Sequence, residues 1–178
     1  MSLLAPDGYF DSVTSIDPKA LLDQGFGVVI LDIDNTLVPR GTKELPSGVR
    51  AWVHALKEQG LRPCLLSNNW HRTVFSYADE LDIPLVYKAM KPLPFAYVRA
   101  LKKAARKKGE KVVAIGDQIF TDMLGAHILG YQALLVAPQT TIDLWYTLLL
   151  RKLEHLVLGD HPPVDTAHPL AHQKKDQA

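Results

Sequence analysis

The sequence lacks most features of secreted, membrane-spanning or nucleic-acid-binding proteins. It has a single cysteine, Cys64, among 178 residues, so no internal disulfide can form and we expect a reducing, cytoplasmic setting. The first residues, MSLLAPDGYFDS, have neither the basic start nor the long apolar core of a signal peptide. No run of about 18 uncharged apolar residues occurs, so no membrane-spanning helix is expected. The net charge is only +1, and nucleic acid is therefore not expected as a partner.

The composition that remains is that of one ordinary globular domain. Of the residues, 47% are hydrophobic and 22% are charged, and a chain of this length can bury a sizeable core. Short β-rich runs alternate with longer helical patterns, which predicts an α/β fold with a mostly parallel sheet covered on both faces. We expect five strands, at residues 27–33, 62–67, 85–87, 111–116 and 132–137, and helices at 18–23, 47–59, 72–81, 93–108 and 121–129.

The predicted helix at 93–108 is amphipathic and strongly basic. Its buried, apolar stripe is expected to consist of Phe95, Val98, Leu101 and Ala105. The overlapping segment RALKKAARKKGEK, residues 99–111, carries seven basic residues. They indicate a solvated outer face, and an anionic partner such as phospholipid or RNA is the alternative.

The C-terminal part of the chain departs from this regular alternation. Residues 140–158, TTIDLWYTLLLRKLEHLVL, predict a helix whose first half has more apolar residues than one buried face requires. Three alternatives stay open for this helix: packing on the core, a homodimer contact, or peripheral contact with an anionic membrane. We expect residues 1–158 to form the single domain, and residues 159–178, rich in proline, histidine and charge, to form a flexible tail.

Two aspartates directly follow the first predicted strand. The stretch VVILDIDNTL, residues 28–37, ends its apolar run on Asp32 and Asp34. Side chains two positions apart in an extended strand point to the same side, so the two carboxylates can converge. Ligands of open parallel sheets bind beyond the carboxyl ends of the strands, which is where this pair lies. On its own, such a pair more often serves as a cap or in a salt bridge.

Later segments bring further polar side chains to the same edge of the predicted sheet. Ser67 and Asn68 follow the second strand in LLSNN, and Lys91 follows the third in KAMKP. The fourth strand ends in AIGDQIFTD, which carries Asp117 and Asp122. Four carboxylates in one small site repel one another unless a cation joins them, and hard oxygen ligands favour Mg²⁺. The residues therefore indicate phosphoryl transfer, with a carboxylate available as the nucleophile.

Taken in order, DIDNT, SNN, KP and GDQIFTD resemble the four motifs of the haloacid dehalogenase (HAD) superfamily phosphatases, and the resemblance spans residues 28–138. The segments LLAPDGYFDSVTSIDPKALLDQG, LDIDNTLVP and RKLEH further resemble the YqeG-type branch of subfamily IIIA, which includes phosphatidylglycerophosphate phosphatases. The resemblance implies a Rossmann-like, three-layer HAD fold. It also implies a Mg²⁺-dependent hydrolase acting on a phosphomonoester.

The resemblance implies a role for each motif residue. Asp32 would attack phosphorus and become an aspartyl phosphate, while Asp34 would protonate the leaving oxygen and then activate the hydrolytic water. Mg²⁺ would be held by Asp32, Asp117 and the backbone carbonyl of Asp34. Ser67, Lys91 and the backbone amide of Asn68 would hold the phosphoryl oxygens. Thr36 would shape the loop after Asp34. Asp122 would support the metal site, either as a ligand through water or by holding Lys91.

The spacing between the motifs leaves no room for a specificity-setting cap domain. From Asp32 to Ser67 is 35 positions and from Ser67 to Lys91 is 24, and each interval is filled by one predicted helix and one strand. An open site suits a bulky phosphomonoester, and the branch points to phosphatidylglycerophosphate at the inner face of the membrane. The alternatives are a phosphatase for nucleotides or small metabolites, and a non-catalytic ribosome- or membrane-binding module, which the intact set of motif residues disfavours.

Overall fold

The computed structural model of the protein describes residues 3–139 and 168–170. Within these residues a short 3₁₀ helix (Val13–Ser15) precedes the first α-helix, and a π-helical turn (Ile119–Met123) precedes the last. The strands and α-helices are, in chain order, β1 (Gly8–Phe10), α1 (Pro18–Asp23), β2 (Phe26–Leu31), α2 (Ser47–Glu58), β3 (Arg62–Leu66), α3 (Thr73–Leu81), β4 (Leu85–Val86), α4 (Pro94–Lys103), β5 (Lys111–Gly116), α5 (Leu124–Ile128) and β6 (Gln132–Val136).

The strands form one parallel sheet in the order β1-β6-β5-β2-β3-β4. Every residue of β2 is buried, because Val29 and Leu31 pack under α1, α2 and α3 while Val28 and Ile30 pack under α4 and α5. This burial on both faces explains the continuously apolar run before the aspartates. The predicted three-layer α/β class is confirmed.

The sheet has six strands in the described residues, and the prediction of five was wrong. The missed strand is β1, which spans only the three residues GYF. A segment this short shows no alternating pattern, and it becomes a strand by pairing with β6 at the edge of the sheet. Between β2 and β3 the chain forms only a loop and α2, and between β3 and β4 it forms only α3. The predicted absence of a cap domain at these two points is confirmed.

Helix α4 differs from the prediction in length and in the face that it buries. It ends at Lys103 rather than residue 108, and Ala105 then adopts the left-handed conformation with φ 50°. Phe95 and Val98 are 46% and 55% exposed, so they do not belong to the buried stripe. The side chains that face the sheet are mostly small, because small residues let the helix axis approach the strands closely; they are Ala96, Tyr97, Ala100, Leu101 and Ala104.

The predicted helix at 140–158 lies outside the described residues, as does most of the predicted tail. The three tail residues that are described lie against the domain. The His168 ring is edge-on to the Phe10 ring, with 5.3 Å between centroids, and Leu170 is buried in the core. The Asp17 N–H also donates to the Leu170 carbonyl at 2.7 Å. At residues 168–170 the chain is therefore held by packing and hydrogen bonds, unlike a free tail.

Candidate active site

The carboxyl ends of the central strands open into a cavity of about 490 Å³. Asp32 follows β2 directly, and its N–H donates to the Ile115 carbonyl of β5 at 3.0 Å. The strand ladder therefore fixes the position of Asp32 at the base of the cavity. The cavity is lined by Asp32, Asp34, Arg40, Asn68, Asn69, Trp70, His71, Lys91, Gln118 and Thr121.

Lys91 connects two of the buried carboxylates. Its side chain is only 3% exposed, and Nζ lies 2.5 Å from Asp32 Oδ1 and 2.7 Å from Asp122 Oδ1. Burial alone lowers the pKa of Lys91, but the charges of Asp122 and Asp32 raise it above its ordinary value. Lys91 is therefore a fixed cation, and its contact with Asp122 is one of the two alternatives predicted for that aspartate.

The end of β3 holds Lys91 in place through Asn68. The Asn68 side chain accepts the Lys91 N–H at 2.7 Å and donates to the Lys91 carbonyl at 3.2 Å. The neighbouring Ser67 is fully buried, and its Oγ accepts the Asn69 N–H at 3.0 Å. Asn68 thus joins the loop after β3 to the loop after β4, a function of its side chain that the sequence did not reveal.

Both oxygens of Asp32 have donors, and a different residue holds Asp34. Thr36 Oγ1 donates to Asp32 Oδ2 at 3.2 Å, opposite the oxygen that Lys91 contacts. Asn69 Nδ2 lies 3.1 Å from both carboxylate oxygens of Asp34. Burial, and then the nearby charge of Asp32, raise the pKa of Asp34 above its ordinary value. A raised pKa lets a carboxyl group hold its proton more readily than an ordinary aspartate, which suits a group that donates and recovers a proton.

Asp32, Asp117 and Asp122 form a compact acidic cluster. All three are buried, and each contributes one oxygen to a group lying within 4.8 Å of one another. Burial, followed by repulsion from neighbouring aspartates, raises the pKa of Asp117 well above its ordinary value. Burial likewise raises the pKa of Asp122, to about 6, with the Asp32 charge adding to the rise and Lys91 opposing it.

The acidic cluster fits a divalent cation. Asp117 Oδ1 is buried and has no hydrogen-bond partner within residues 3–139 and 168–170. A buried carboxylate oxygen without a donor is costly, and a cation would both satisfy it and relieve the repulsion. Carboxylate oxygens are the ligands that Mg²⁺ prefers. The Asp34 carboxylate, by contrast, is turned to Asn69, which is compatible with the prediction that Asp34 would offer only its backbone carbonyl.

The π-helical turn after β5 places Asp122 over a glycine. The Asp122 N–H donates to the Gln118 carbonyl at 2.9 Å, and the Tyr97 hydroxyl holds the turn through the Thr121 carbonyl at 2.9 Å. A Cβ on Gly116 would lie 2.3 Å from the Asp122 carboxylate. Only glycine therefore permits this close approach at the end of β5.

Asn69 and Arg40 are among the cavity residues that were not predicted from the sequence. Asn69 is the last residue of the SNN motif, and its position after a strand end was the available signal. Arg40 lines the cavity. Its positive charge opposes the rise in the pKa of Asp34 and of Asp117 without reversing it. Arg40 Nη1 is buried and has no hydrogen-bond partner in the described part of the chain. A lone arginine in a loop carries no sequence pattern, so no signal pointed to it.

This sheet, with a lysine-bridged carboxylate cluster at its carboxyl edge, is the architecture of a haloacid dehalogenase-like hydrolase, and that family's sequence model matches residues 40–130. The probable phosphatase YqeG of Bacillus subtilis (strain 168) is 35% identical over 154 residues, which are 86% of this chain and 89% of that protein. The chain therefore belongs to the haloacid dehalogenase-like hydrolases and is a phosphatase of the YqeG type.

One solved structure agrees with this fold, and a second aligns less closely. One crystal structure aligns with 79% of this chain and 88% of its own, at a TM-score of 0.56 and 17% identity. A HAD phosphatase from Thermococcus onnurineus aligns with 75% of this chain and 98% of its own, at a TM-score of 0.47 and 14% identity. At such identities the first likeness bears on the fold alone.

We expect Gly116→Ala to lower kcat/KM on a phosphomonoester by about 100-fold, because a shift of about 1 Å in a reacting geometry has an effect of this size. The new methyl group displaces Asp122 and, through it, Lys91. The matched control is Gly48→Ala, whose Cβ would meet only Thr14 Cγ2 at 3.8 Å, and it should keep parental activity. Steady-state kinetics test both, and full activity in Gly116→Ala would contradict the packing described for Asp122.

Proposed function

We propose that this phosphatase hydrolyses a bulky phosphomonoester with Mg²⁺, through an aspartyl phosphate on Asp32, and that phosphatidylglycerophosphate is the first candidate substrate. The observation that supports this proposal best is the placement of Lys91 Nζ between Asp32 and Asp122. It places a cation against the Asp32 carboxylate at the base of an open cavity. An ionised carboxylate is the form that can attack phosphorus.

The first chemical step transfers the phosphoryl group to Asp32. A carboxylate oxygen of Asp32 attacks phosphorus, and the bond between phosphorus and the leaving oxygen breaks. Asp34 donates its proton to that oxygen, and the raised pKa of Asp34 favours the protonated form needed here. Lys91 is proposed to neutralise a phosphoryl oxygen, since its Nζ already lies beside Asp32.

The second step returns Asp32 to its starting state. Asp34, now ionised, removes a proton from water, and the resulting oxygen attacks the phosphorus of the aspartyl phosphate. The bond between phosphorus and Asp32 breaks, releasing inorganic phosphate. Asn69 keeps the Asp34 carboxyl oriented in both steps through its bonds to both oxygens. Ser67, whose Oγ accepts the Asn69 N–H, retains its own proton to donate to a phosphoryl oxygen, alongside the backbone amide of Asn68.

The acidic cluster is the proposed metal site. Asp32, Asp117 and the backbone carbonyl of Asp34 would hold Mg²⁺, and Asp122 would support this set by holding Lys91. When bound, the ion would offset the negative charge that develops on the phosphoryl oxygens. Thr36 contributes by fixing the second oxygen of Asp32.

We expect Mg²⁺ to raise the thermal unfolding temperature of the protein, and Asp117→Asn to remove most of this effect. A ligand that binds only the folded state at about 100 times its Kd adds roughly 2.7 kcal/mol of stability. Thermal unfolding should be followed in EDTA and in excess MgCl₂, with the exposed Asp79→Asn as the matched control. An equal Mg²⁺ response in Asp117→Asn and the parent would remove Asp117 from the site.

A substrate panel tests the proposed function as a whole. The purified protein should be assayed with Mg²⁺ on p-nitrophenyl phosphate, nucleoside monophosphates, sugar phosphates and phosphatidylglycerophosphate in mixed micelles. We expect the lipid phosphate to have the highest kcat/KM, consistent with an enzyme working in the cytoplasm at the inner face of the membrane. Preference for a nucleotide or sugar phosphate would favour a metabolite phosphatase. No turnover of any of these compounds would favour a non-catalytic binding module.

A further inference from the structure

The mouth of the cavity is bordered on one side by an exposed apolar surface. Ten large apolar side chains are exposed within the described residues, and seven of them lie between residues 70 and 98. Two of the seven, Phe95 and Val98, belong to α4. The other five form what we name the rim patch: Trp70, Phe75, Tyr87, Met90 and Leu93.

Contacts join the rim patch across two loops. The loop after β3 and the loop after β4 are linked by a hydrogen bond from the Lys88 N–H to the Asn69 carbonyl at 3.4 Å. Lys88 Nζ lies 4.6 Å from the centre of the Trp70 ring and 5.7 Å from that of Tyr87. The rings of Phe75 and Tyr87 are 4.8 Å apart. The aromatic part of the patch is therefore one connected surface.

The rim patch faces solvent, next to residues that line the cavity or lie among its carboxylates. Trp70 lines the cavity, yet the residue is 70% exposed. Met90 is 56% exposed, although its neighbour Lys91 is buried among the carboxylates. Met90 has φ 62°, and Lys88 has φ 48°, a conformation that is unfavourable for residues other than glycine. The loop thus maintains a strained backbone that presents Met90 to solvent while Lys91 points inward.

The exposed charged side chains in the two segments that carry the rim patch are all positive. Residues 69–78 and 83–109 contain no aspartate or glutamate, whereas Arg72 and Lys88 are exposed there. The nearest acids in the sequence, Asp79, Glu80 and Asp82, lie at the C-terminal end of α3, where Glu80 pairs with Arg50 and Asp82 with Lys57. A surface of Trp, Tyr and aliphatic side chains with cations beside them matches the head-group layer of an anionic bilayer.

We propose that the rim patch docks the phosphatase on the surface of an anionic lipid bilayer, with Trp70, Met90 and Leu93 entering the head-group region. In this orientation the cavity opens onto the bilayer, and the phosphate of a lipid can reach Asp32 while the lipid stays in the bilayer. The choice of a bilayer over a protein partner rests on the composition and charge of the patch. Its role in catalysis rests on the proposed function, but docking itself is measurable without turnover.

Vesicle flotation of the full chain tests the docking directly. Vesicles of phosphatidylcholine alone should be compared with an equal mixture of phosphatidylcholine and phosphatidylglycerol. We expect binding to the anionic vesicles, and an apparent affinity roughly ten-fold weaker for the double variant Trp70→Ser and Met90→Ser, because partly buried apolar side chains drive interfacial binding. The matched controls are Leu22→Ser and Ile128→Ser, which remove side chains that are 41% and 47% exposed elsewhere and should bind like the parent.

Tryptophan fluorescence gives a second readout on the intact chain. The chain has three tryptophans; Trp52 is buried, and Trp145 is replaced by phenylalanine in the reporter background. The emission change on adding vesicles then comes from Trp70, and we expect a blue shift with anionic vesicles. Circular dichroism of each variant confirms that it is folded.

Three results with the variants would overturn the docking proposal. They are an unchanged affinity in the double variant, an equal loss in the Leu22→Ser and Ile128→Ser controls, and a parental dimer that the double variant dissociates in sedimentation experiments. The last would assign the patch to a contact between copies. Turnover of p-nitrophenyl phosphate without vesicle binding would refute docking and leave the proposed function standing. Vesicle binding that depends on the rim patch, without turnover of any phosphomonoester, would support docking and refute the proposed function.

Discussion

Asp32→Asn is expected to lower kcat on every phosphomonoester by roughly 10⁴-fold or more, the order of loss that follows removal of an enzyme's nucleophile. The asparagine side chain keeps the size of aspartate; its oxygen can still accept from Lys91, and its NH₂ group can donate to the Thr36 hydroxyl, so the site should stay assembled. Its amide cannot form the acyl phosphate, and the two-step route is lost. The measurement is initial-rate kinetics on p-nitrophenyl phosphate with saturating Mg²⁺.

Covalent trapping separates a chemical role of Asp32 from a structural one. The parent, quenched in acid during turnover of a phosphorus-labelled substrate, should retain label that hydroxylamine releases, whereas Asp32→Asn should retain none. Asp79→Asn changes an exposed carboxylate to the same amide and should behave as the parent in both assays. Turnover that survives in Asp32→Asn at the parental rate would refute the aspartyl-phosphate mechanism.

The position of the motif residues was predictable because it depends on strand ends. Asp32, Ser67 and Asp117 each follow a buried apolar run, and parallel strands bring their carboxyl ends to one edge. The structure places Asp32 and Asp117 in one cluster and Ser67 in the adjacent loop. These residues share one edge because the strands run in the same direction, and the alternation of strands and helices in the sequence predicts that direction.

Side-chain partners were less predictable than positions. Asn69 and Asn68 are adjacent and identical in type, yet one holds Asp34 and the other holds the Lys91 backbone, a division set by the local turn. On α4 the expected stripe favoured large residues such as Phe95 and Val98, whereas the sheet accommodates alanines there. The hydrophobic pattern of a helix does not indicate how closely the helix must approach the sheet. That packing also leaves Phe95 and Val98 exposed.

Lys91→Met is expected to lower the free energy of unfolding by about 3–5 kcal/mol, the usual cost of leaving buried charges without their partner. Methionine approximates the length of the aliphatic stem but removes the only cation that contacts Asp32 and Asp122 in the described residues. Urea unfolding in EDTA at neutral pH measures the change. Lys19→Met is the matched control, because it removes a lysine from an exposed pair with Asp23 and should leave stability unchanged.

The pH dependence of this loss distinguishes missing charge from missing packing. With Lys91 present, the pKa of Asp122 is already raised to about 6, and the lysine is one of the groups that oppose the rise. Removing Lys91 therefore raises the Asp122 pKa further above the value of about 3.9 expected in the unfolded chain. A carboxyl group whose folded pKa is raised destabilises the fold progressively as pH rises from its unfolded pKa through its folded one. The deficit of Lys91→Met should accordingly stay nearly constant up to about pH 6, the folded pKa of Asp122 in the parent, and grow above it, whereas a deficit that stays constant from pH 4 to pH 8 would mean that Lys91 stabilises the site by packing alone.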